Sequence, residues 1–316
     1  MGKKNKETPD PNQNNNPDAR PFVEGKDGLI VYEPETNPDI ISAVRHVRGK
    51  FLSEYELNPD AYIAQDVEMI KRDDFYIRRF LYPHDLEADA AYEQFREWMA
   101  WRKEVGFEGA CDQRFPIEFY QIGALFPYLT DREGTLLLYM RFKVYRRIDV
   151  LDQAIKQFVV YNMDRLDSTA RKERGWAVVF DTQGAGVAQI DFDMLVFLFK
   201  TVKQYYPWGM KYVCIYELPW ILHGAWKITQ RLLPQDATRL FKFCNKGNIE
   251  ELIDPQNLPD FMGGECAEDY RSVPAGCRPA EEVASEEMGL TADQVKSVKK
   301  HFEKHFAEST RSAPSA

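Results

Sequence analysis

Cysteine and histidine are both scarce, five of each among 316 residues. Cys111, Cys214, Cys244, Cys266 and Cys277 are odd in number, stand far apart and form no Cys-x-x-Cys. Reduced thiols in a cytosolic protein are expected, rather than a disulfide framework or a zinc knuckle. His84 and His223 stand alone and read as structural residues. His301 and His305 lie one helical turn apart, but on a lysine-rich stretch, so neither a metal nor any other cofactor is expected. No Gly-x-Ser-x-Gly elbow and no Gly-Lys-Ser/Thr occurs, so no catalytic constellation is expected and the chain reads as a non-enzyme. Positive charge is not in excess. The formal net charge is −9, whereas a bulk nucleic-acid binder is usually basic, so nucleic acid is not an expected partner. No apolar run approaches a membrane span, and the N-terminus has no apolar signal core. Met1-Gly2 is followed by Lys6 where a myristoylation signal wants Ser or Thr. These absences lead to the expectation of a cytoplasmic, monomeric protein.

What is present changes along the chain. Residues 1–36 are rich in Lys, Asn, Pro and Asp and are expected to be a disordered tail. Residues 37–110 read as a small helical region. Asn37-Pro38 is a cap followed by a first-turn proline, and Ile40, Ile41, Val44, Val47 and Phe51 follow at helical spacing. One helix is expected over Asp66–Tyr82 and another over Leu86–Val105, ended by Gly106. In residues 111–270 the rhythm becomes strand, helix, strand. Strands are expected at Thr135–Met140, Trp176–Phe180, Tyr212–Tyr216 and Leu240–Cys244. Helices are expected at Leu151–Leu166, at Phe192–Tyr206 and, briefly, at Asn248–Ile253. This order implies right-handed crossovers and a largely parallel sheet, an α/β fold.

The stretch Phe192–Trp220 organises this part. Its helix is apolar nearly all round, which predicts burial on most sides. Tyr206-Pro207 ends the helix, and Leu218-Pro219-Trp220 starts another apolar one. Gly184-Ala185-Gly186 follows a buried strand, where a phosphate loop would sit, but the third glycine is replaced by Gln189, so a glycine-requiring turn is the better account. Residues 271–316 read as an acidic linker and a C-terminal amphipathic helix. Thr291 and Gln294 form a capping-box pattern, and Val295, Val298, Phe302 and Phe306 make a stripe flanked by Lys296, Lys299, Lys300 and Lys304. That stripe either docks on the domain or lies on an anionic membrane. Tyr139, Phe180, Phe197, Tyr206, Trp208, Tyr216 and Trp226 gather around the sheet unit. They either fill a core or line an apolar pocket.

Certain residues match a known pattern. Asp73-Asp74, Phe80-Leu81 and Trp101-Arg102-Lys103 resemble the N-terminal helical part of CRAL-TRIO lipid-binding proteins. Phe180-Asp181 with Gly184, Tyr206-Pro207, Leu218-Pro219-Trp220, Trp226-Lys227-Ile228 and Leu258-Pro259 with Gly263-Gly264 resemble the lipid-binding domain of the same family. The resemblance implies a bowl with a mostly parallel sheet floor, helical walls and a movable gate helix. It implies binding and intermembrane transfer of a phospholipid or other hydrophobic lipid, with transient contact at a membrane surface. By position the gate is Lys227–Phe243, with Ile228, Leu232, Leu233, Leu240 and Phe241 apolar. A pocket of about 300–1,000 Å³ is expected between sheet and gate. Two departures matter. Trp208 stands where phosphatidylinositol-exchanging members have a glutamate, and Leu240 where they have a lysine. This leaves a neutral or sterol-like ligand open, or a headgroup held differently. The chain is further expected to lack the immunoglobulin-like domain and membrane anchor of one branch of the family. The competing reading is a protein-interaction module whose pocket is filled by its own side chains.

Overall fold

The computed structural model describes residues 37–170, 175–232, 239–266 and 268–311. The expected N-terminal tail lies outside them. The chain opens with α1 (Pro38–Leu57), whose cap Asn37 accepts a hydrogen bond from the Asp39 N–H, as the Asn-Pro signature predicts. The helix expected over Asp66–Tyr82 is two helices, α2 (Ala64–Arg72) and α3 (Phe75–Leu81). The break is at Asp73, whose extended backbone ends α2 while its carboxylate accepts from the Phe75 N–H at 3.0 Å. A short acidic side chain here outcompetes the helical backbone partner. Then come α4 (Ala88–Glu104) and the short α5 (Ile117–Ile122). Phe51, Phe80, Phe95 and Trp98 from α1, α3 and α4 are fully buried and meet ring to ring.

The sheet follows as β1 (Leu125–Thr130) and β2 (Leu136–Arg141), then α6 (Asp152–Ala170), β3 (Trp176–Asp181), α7 (Phe192–Tyr205), β4 (Met210–Tyr216), α8 (His223–Leu232) and β5 (Phe241–Cys244). The five strands lie in the order β1-β2-β3-β4-β5; β1 runs antiparallel to β2 and the other pairs are parallel. Right-handed crossovers between neighbours advancing in one direction put α6, α7 and α8 on the same face. Leu138, Met140, Val178, Phe180, Val213 and Ile215 point to that helical face. Tyr139, Val179, Cys214 and Tyr216 point to the other, which is covered by Ile249, Ile253, Leu258 and Met262. Every residue of β3 is buried, as a strand covered on both faces requires. The short helix expected at Asn248–Ile253 is a single 3-10 turn, Ile249–Glu251.

Two buried arginines fasten the N-terminal helices to the sheet unit. Arg102 of α4 bonds Asp66 at 2.6 Å and Asp164 of α6 at 2.7 Å. Burial alone would lower the Arg102 pKa, but Asp164 and Asp66 outweigh it and raise the value, so the guanidinium stays charged. Arg79 of α3 pairs with Asp167 of α6 and donates to the Tyr205 carbonyl at 2.9 Å. Burial pushes the Asp167 carboxyl up, against the pull of Arg79. Trp101 stacks on Tyr205 with centroids 3.9 Å apart, completing the junction. The chain ends in α9 (Ala280–Glu286) and α10 (Ala292–Arg311), the latter opened by the reciprocal Thr291–Gln294 capping box.

Candidate functional site

On the helical face, where β2 and β3 end, the walls leave a cavity of about 120 Å³. Met140 and Phe180 supply its floor, Phe158 and Val159 of α6 one wall, and Met194 and Leu198 of α7 another. Phe142 meets Phe180 edge-on at 5.3 Å, and Phe119 of α5 meets Phe158 at 5.3 Å. The remaining wall is α10, through His301, Phe302 and His305. The lining is almost wholly apolar. One polar group at its margin, Asp191, is already engaged. Asp191 accepts from the Tyr145 hydroxyl at 2.7 Å and from the Met194 N–H at 3.0 Å, capping α7. Desolvation raises the Asp191 carboxyl, but the Met194 N–H, the Tyr145 hydroxyl and Arg147 prevail and hold it below its ordinary range. The N-terminus of α7 thus has its own carboxylate where a phosphate would sit, so the Gly184–Gly186 stretch is a turn, with Gly184 at φ +67.

Of the residues expected to form a pocket, Phe180 lines the cavity. Tyr139 and Tyr216 lie across the sheet, where Tyr139 stacks on Phe126 at 5.3 Å and Tyr216 donates to the Met262 carbonyl at 3.2 Å. Tyr206 is buried at the junction with the N-terminal helices, its hydroxyl 3.3 Å from Asp164. Trp208, at φ +65, stacks on Tyr82 with centroids 4.2 Å apart. Phe197 is half-buried beneath the Lys156 ammonium, 5.6 Å from its ring. Trp226 packs on Phe241 at 4.9 Å and Phe243 at 5.2 Å. The strand alternation separates Tyr139 and Tyr216 from Phe180: neighbours on parallel strands share a face only when their register agrees.

The stretch 227–243 is not one helix. α8 ends at Leu232, Leu233 lies outside the described residues, Leu240 precedes β5 and Phe241 opens it. No residue of this stretch lines the cavity among those described. Nor is α7 buried on most sides. Met194, Leu198, Thr201 and Tyr205 face inward, while Val196 is 51% exposed. Its outer side continues through Phe199, 6.3 Å from Phe241, to Trp226 and the 49%-exposed Ile228. Trp220 is 81% exposed. α8 is therefore amphipathic and half-uncovered, where the sequence predicted an apolar helix. Sequence reasoning missed Phe119, Phe142, Met194 and Leu198 as lining residues. Phe302 it found as part of a stripe, without the seat that the stripe occupies.

The mostly parallel sheet, helical on one side, thus borders an apolar cavity of the kind that small-molecule sites use. Residues 121–264 match the CRAL/TRIO domain. The crystal structure of Sfh5 shares the fold, with a TM-score of 0.52 at 11% identity, covering 86% of this chain and 100% of that one. Phosphatidylinositol transfer protein CSR1 of Eremothecium gossypii is 21% identical over 164 residues, which is 51% of this chain and 38% of CSR1. Phosphatidylinositol/phosphatidylcholine transfer protein SFH12 of Arabidopsis thaliana is 22% identical over 222 residues, 62% of this chain and 40% of SFH12. Protein real-time of Drosophila pseudoobscura is 22% identical over 221 residues, 60% of this chain and 32% of that protein. The similarity thus spans two fifths or less of each of these relatives. No helix among the described residues is long and apolar enough to cross a membrane.

Proposed function

We propose that this chain is a non-enzymatic carrier that holds a hydrophobic lipid in the bowl and moves it between membranes. The observation that carries this reading is the nearly all-apolar cavity at the strand ends of a CRAL/TRIO domain. Hydrocarbon needs no catalytic group to be held, since each CH₂ buried contributes about 0.8 kcal/mol. The names of CSR1 and SFH12, both phosphatidylinositol transfer proteins, point the same way. The exposed apolar surface of Trp220, Ile228 and Phe243, with Trp226 and Phe241 behind it, supports transient membrane contact at and beside the 227–243 stretch, which we retain as the gate. Trp208 is taken up by stacking on Tyr82, so the position that is glutamate in phosphatidylinositol-exchanging members serves packing here. This favours a neutral or sterol-like ligand, or a headgroup held elsewhere. Within the family, Trp101-Arg102-Lys103-Glu104, Ile190-Asp191-Phe192-Asp193 and Met262-Gly263-Gly264 resemble the CRAL-TRIO region of motile sperm domain-containing protein 2. A cytoplasmic, monomeric carrier is the corresponding reading of the whole chain.

The cavity volume favours the rival, an interaction module filled by its own side chains. Native mass spectrometry of the purified protein separates the two. Co-purified lipid that leaves on collisional activation is the expected result, with lipidomics to name it. A bare mass, together with no uptake of labelled lipid from donor vesicles, would reject the carrier.

A further inference from the structure

The cavity is too small for the ligand that its lining suits. A void of about 150 Å³ takes benzene, and this one measures about 120 Å³. For a lipid chain to enter, one wall must retreat. The floor and two of the walls are built from β2, β3, α6 and α7, and α10 adds Val298 and Phe302 to the same core. The wall formed by α10 differs in three respects. It lies at residues 292–311, beyond the CRAL/TRIO match that ends at 264. Its inward face is narrow, since Val298, Phe302 and His305 are buried while Lys296, Lys299, Lys300 and Lys304 beside them are exposed. Its ion pair to the short α9, Lys299 to Glu281 at 2.6 Å, is solvent-exposed on both sides and so holds weakly.

We propose that α10 is a displaceable stopper, and that an apolar hydrocarbon chain enters this cavity by taking the place of Phe302. This rests on the lipid-carrier reading and adds the route and the seat of the chain. The aromatic ring of Phe302 sits 6.4 Å from Phe119 and is 4% exposed, a plug of the size and polarity of a chain end. When it leaves, Phe119, Phe142, Phe158 and Leu198 offer the chain a continuous hydrocarbon channel. The 227–243 stretch supplies none of the described lining, so its movement alone does not open this space.

The test uses the full chain and cis-parinaric acid, a fatty acid whose fluorescence rises in apolar surroundings. Phe302→Ala weakens the stopper and is expected to take up the probe about tenfold faster than wild type; Lys299→Ala, which removes the pair with Glu281, is expected to act in the same direction more weakly. In the unaltered chain, amides of 292–306 are expected to lose hydrogen-exchange protection as the probe binds, which decides the matter should Phe302→Ala not fold. Uptake at one rate in all variants, with unchanged protection of 292–306 while fluorescence rises, overturns the stopper and leaves the carrier standing. No fluorescence rise in any variant overturns both.

Discussion

Arg102 is a guanidinium, 3% exposed, between two carboxylates of different elements, Asp66 of α2 and Asp164 of α6. Removing one partner of a buried ionic cluster leaves the others uncompensated, which costs about 3–5 kcal/mol. Arg102→Ala is therefore expected to lower the urea-unfolding free energy by that amount. A loss below about 1 kcal/mol, the range of exposed pairs, would mean that the junction does not depend on it. Glu118 makes a prediction of opposite sign. Its carboxylate is half-buried on α5 and accepts the Ala280 N–H at 2.8 Å, tying α5 to α9. Burial raises its pKa, and the Glu118 and Ala280 backbone N–H groups only partly offset this. A carboxyl with a raised folded pKa contributes stability below the ordinary glutamate range and loses it as pH rises through the folded value. Glu118→Gln keeps the acceptor oxygen without the charge. Its stability relative to wild type should increase between about pH 4 and pH 7 in paired urea titrations; a gap that shrinks over that interval reverses the argument.

The elements differ in how openly their sequences announce them. The Asn37 cap, the Thr291–Gln294 box and the apolar run Trp176–Phe180 of β3 follow from local chemistry and lie where that chemistry puts them. β1 was hidden by Pro127, which reads as a strand breaker but is tolerated because β1 is an edge strand. The site was less legible than the fold. Which aromatic faces the cavity depends on register across β2, β3 and β4, and that is set by long-range pairing rather than by the composition of any one run. The seat of α10 depends on a chain reversal through residues 271–290 that no periodicity encodes. A glycine in the covering segment, by contrast, has a local reason. A Cβ on Gly264 would stand 1.9 Å from the Leu258 carbonyl oxygen, which is backbone and cannot swing aside. The Leu258-Pro259…Gly263-Gly264 segment closes the second face of the sheet through this contact. Gly264→Ala is expected to cost about 1–3 kcal/mol or more, the range for forced overpacking. Thermal melts of that variant should show it, and an unchanged midpoint would mean the segment shifts freely.

At the scale of the whole molecule, one hydrophobic cluster runs from Ile40 in α1 to Phe302 in α10 and includes both the N-terminal helices and the helical face of the sheet. The residues matched to the CRAL/TRIO domain therefore share a core with residues on either side of them. Unfolding is expected to be a single transition, with far-ultraviolet circular dichroism and tryptophan fluorescence coinciding. Separate midpoints would show the helical region to be an independent unit. The sequential strand order has a further consequence during synthesis. β2 to β5 each dock beside the strand made just before, so the sheet can assemble as the chain emerges. α10 is translated after every other wall of the cavity. At about 5–20 residues per second, the ribosome takes several seconds to extend the chain from Gly264 to the end of that helix. On the carrier reading, the newborn chain thus passes through an interval in which the cavity lacks its α10 wall, and a first hydrocarbon chain could be captured before that helix is made.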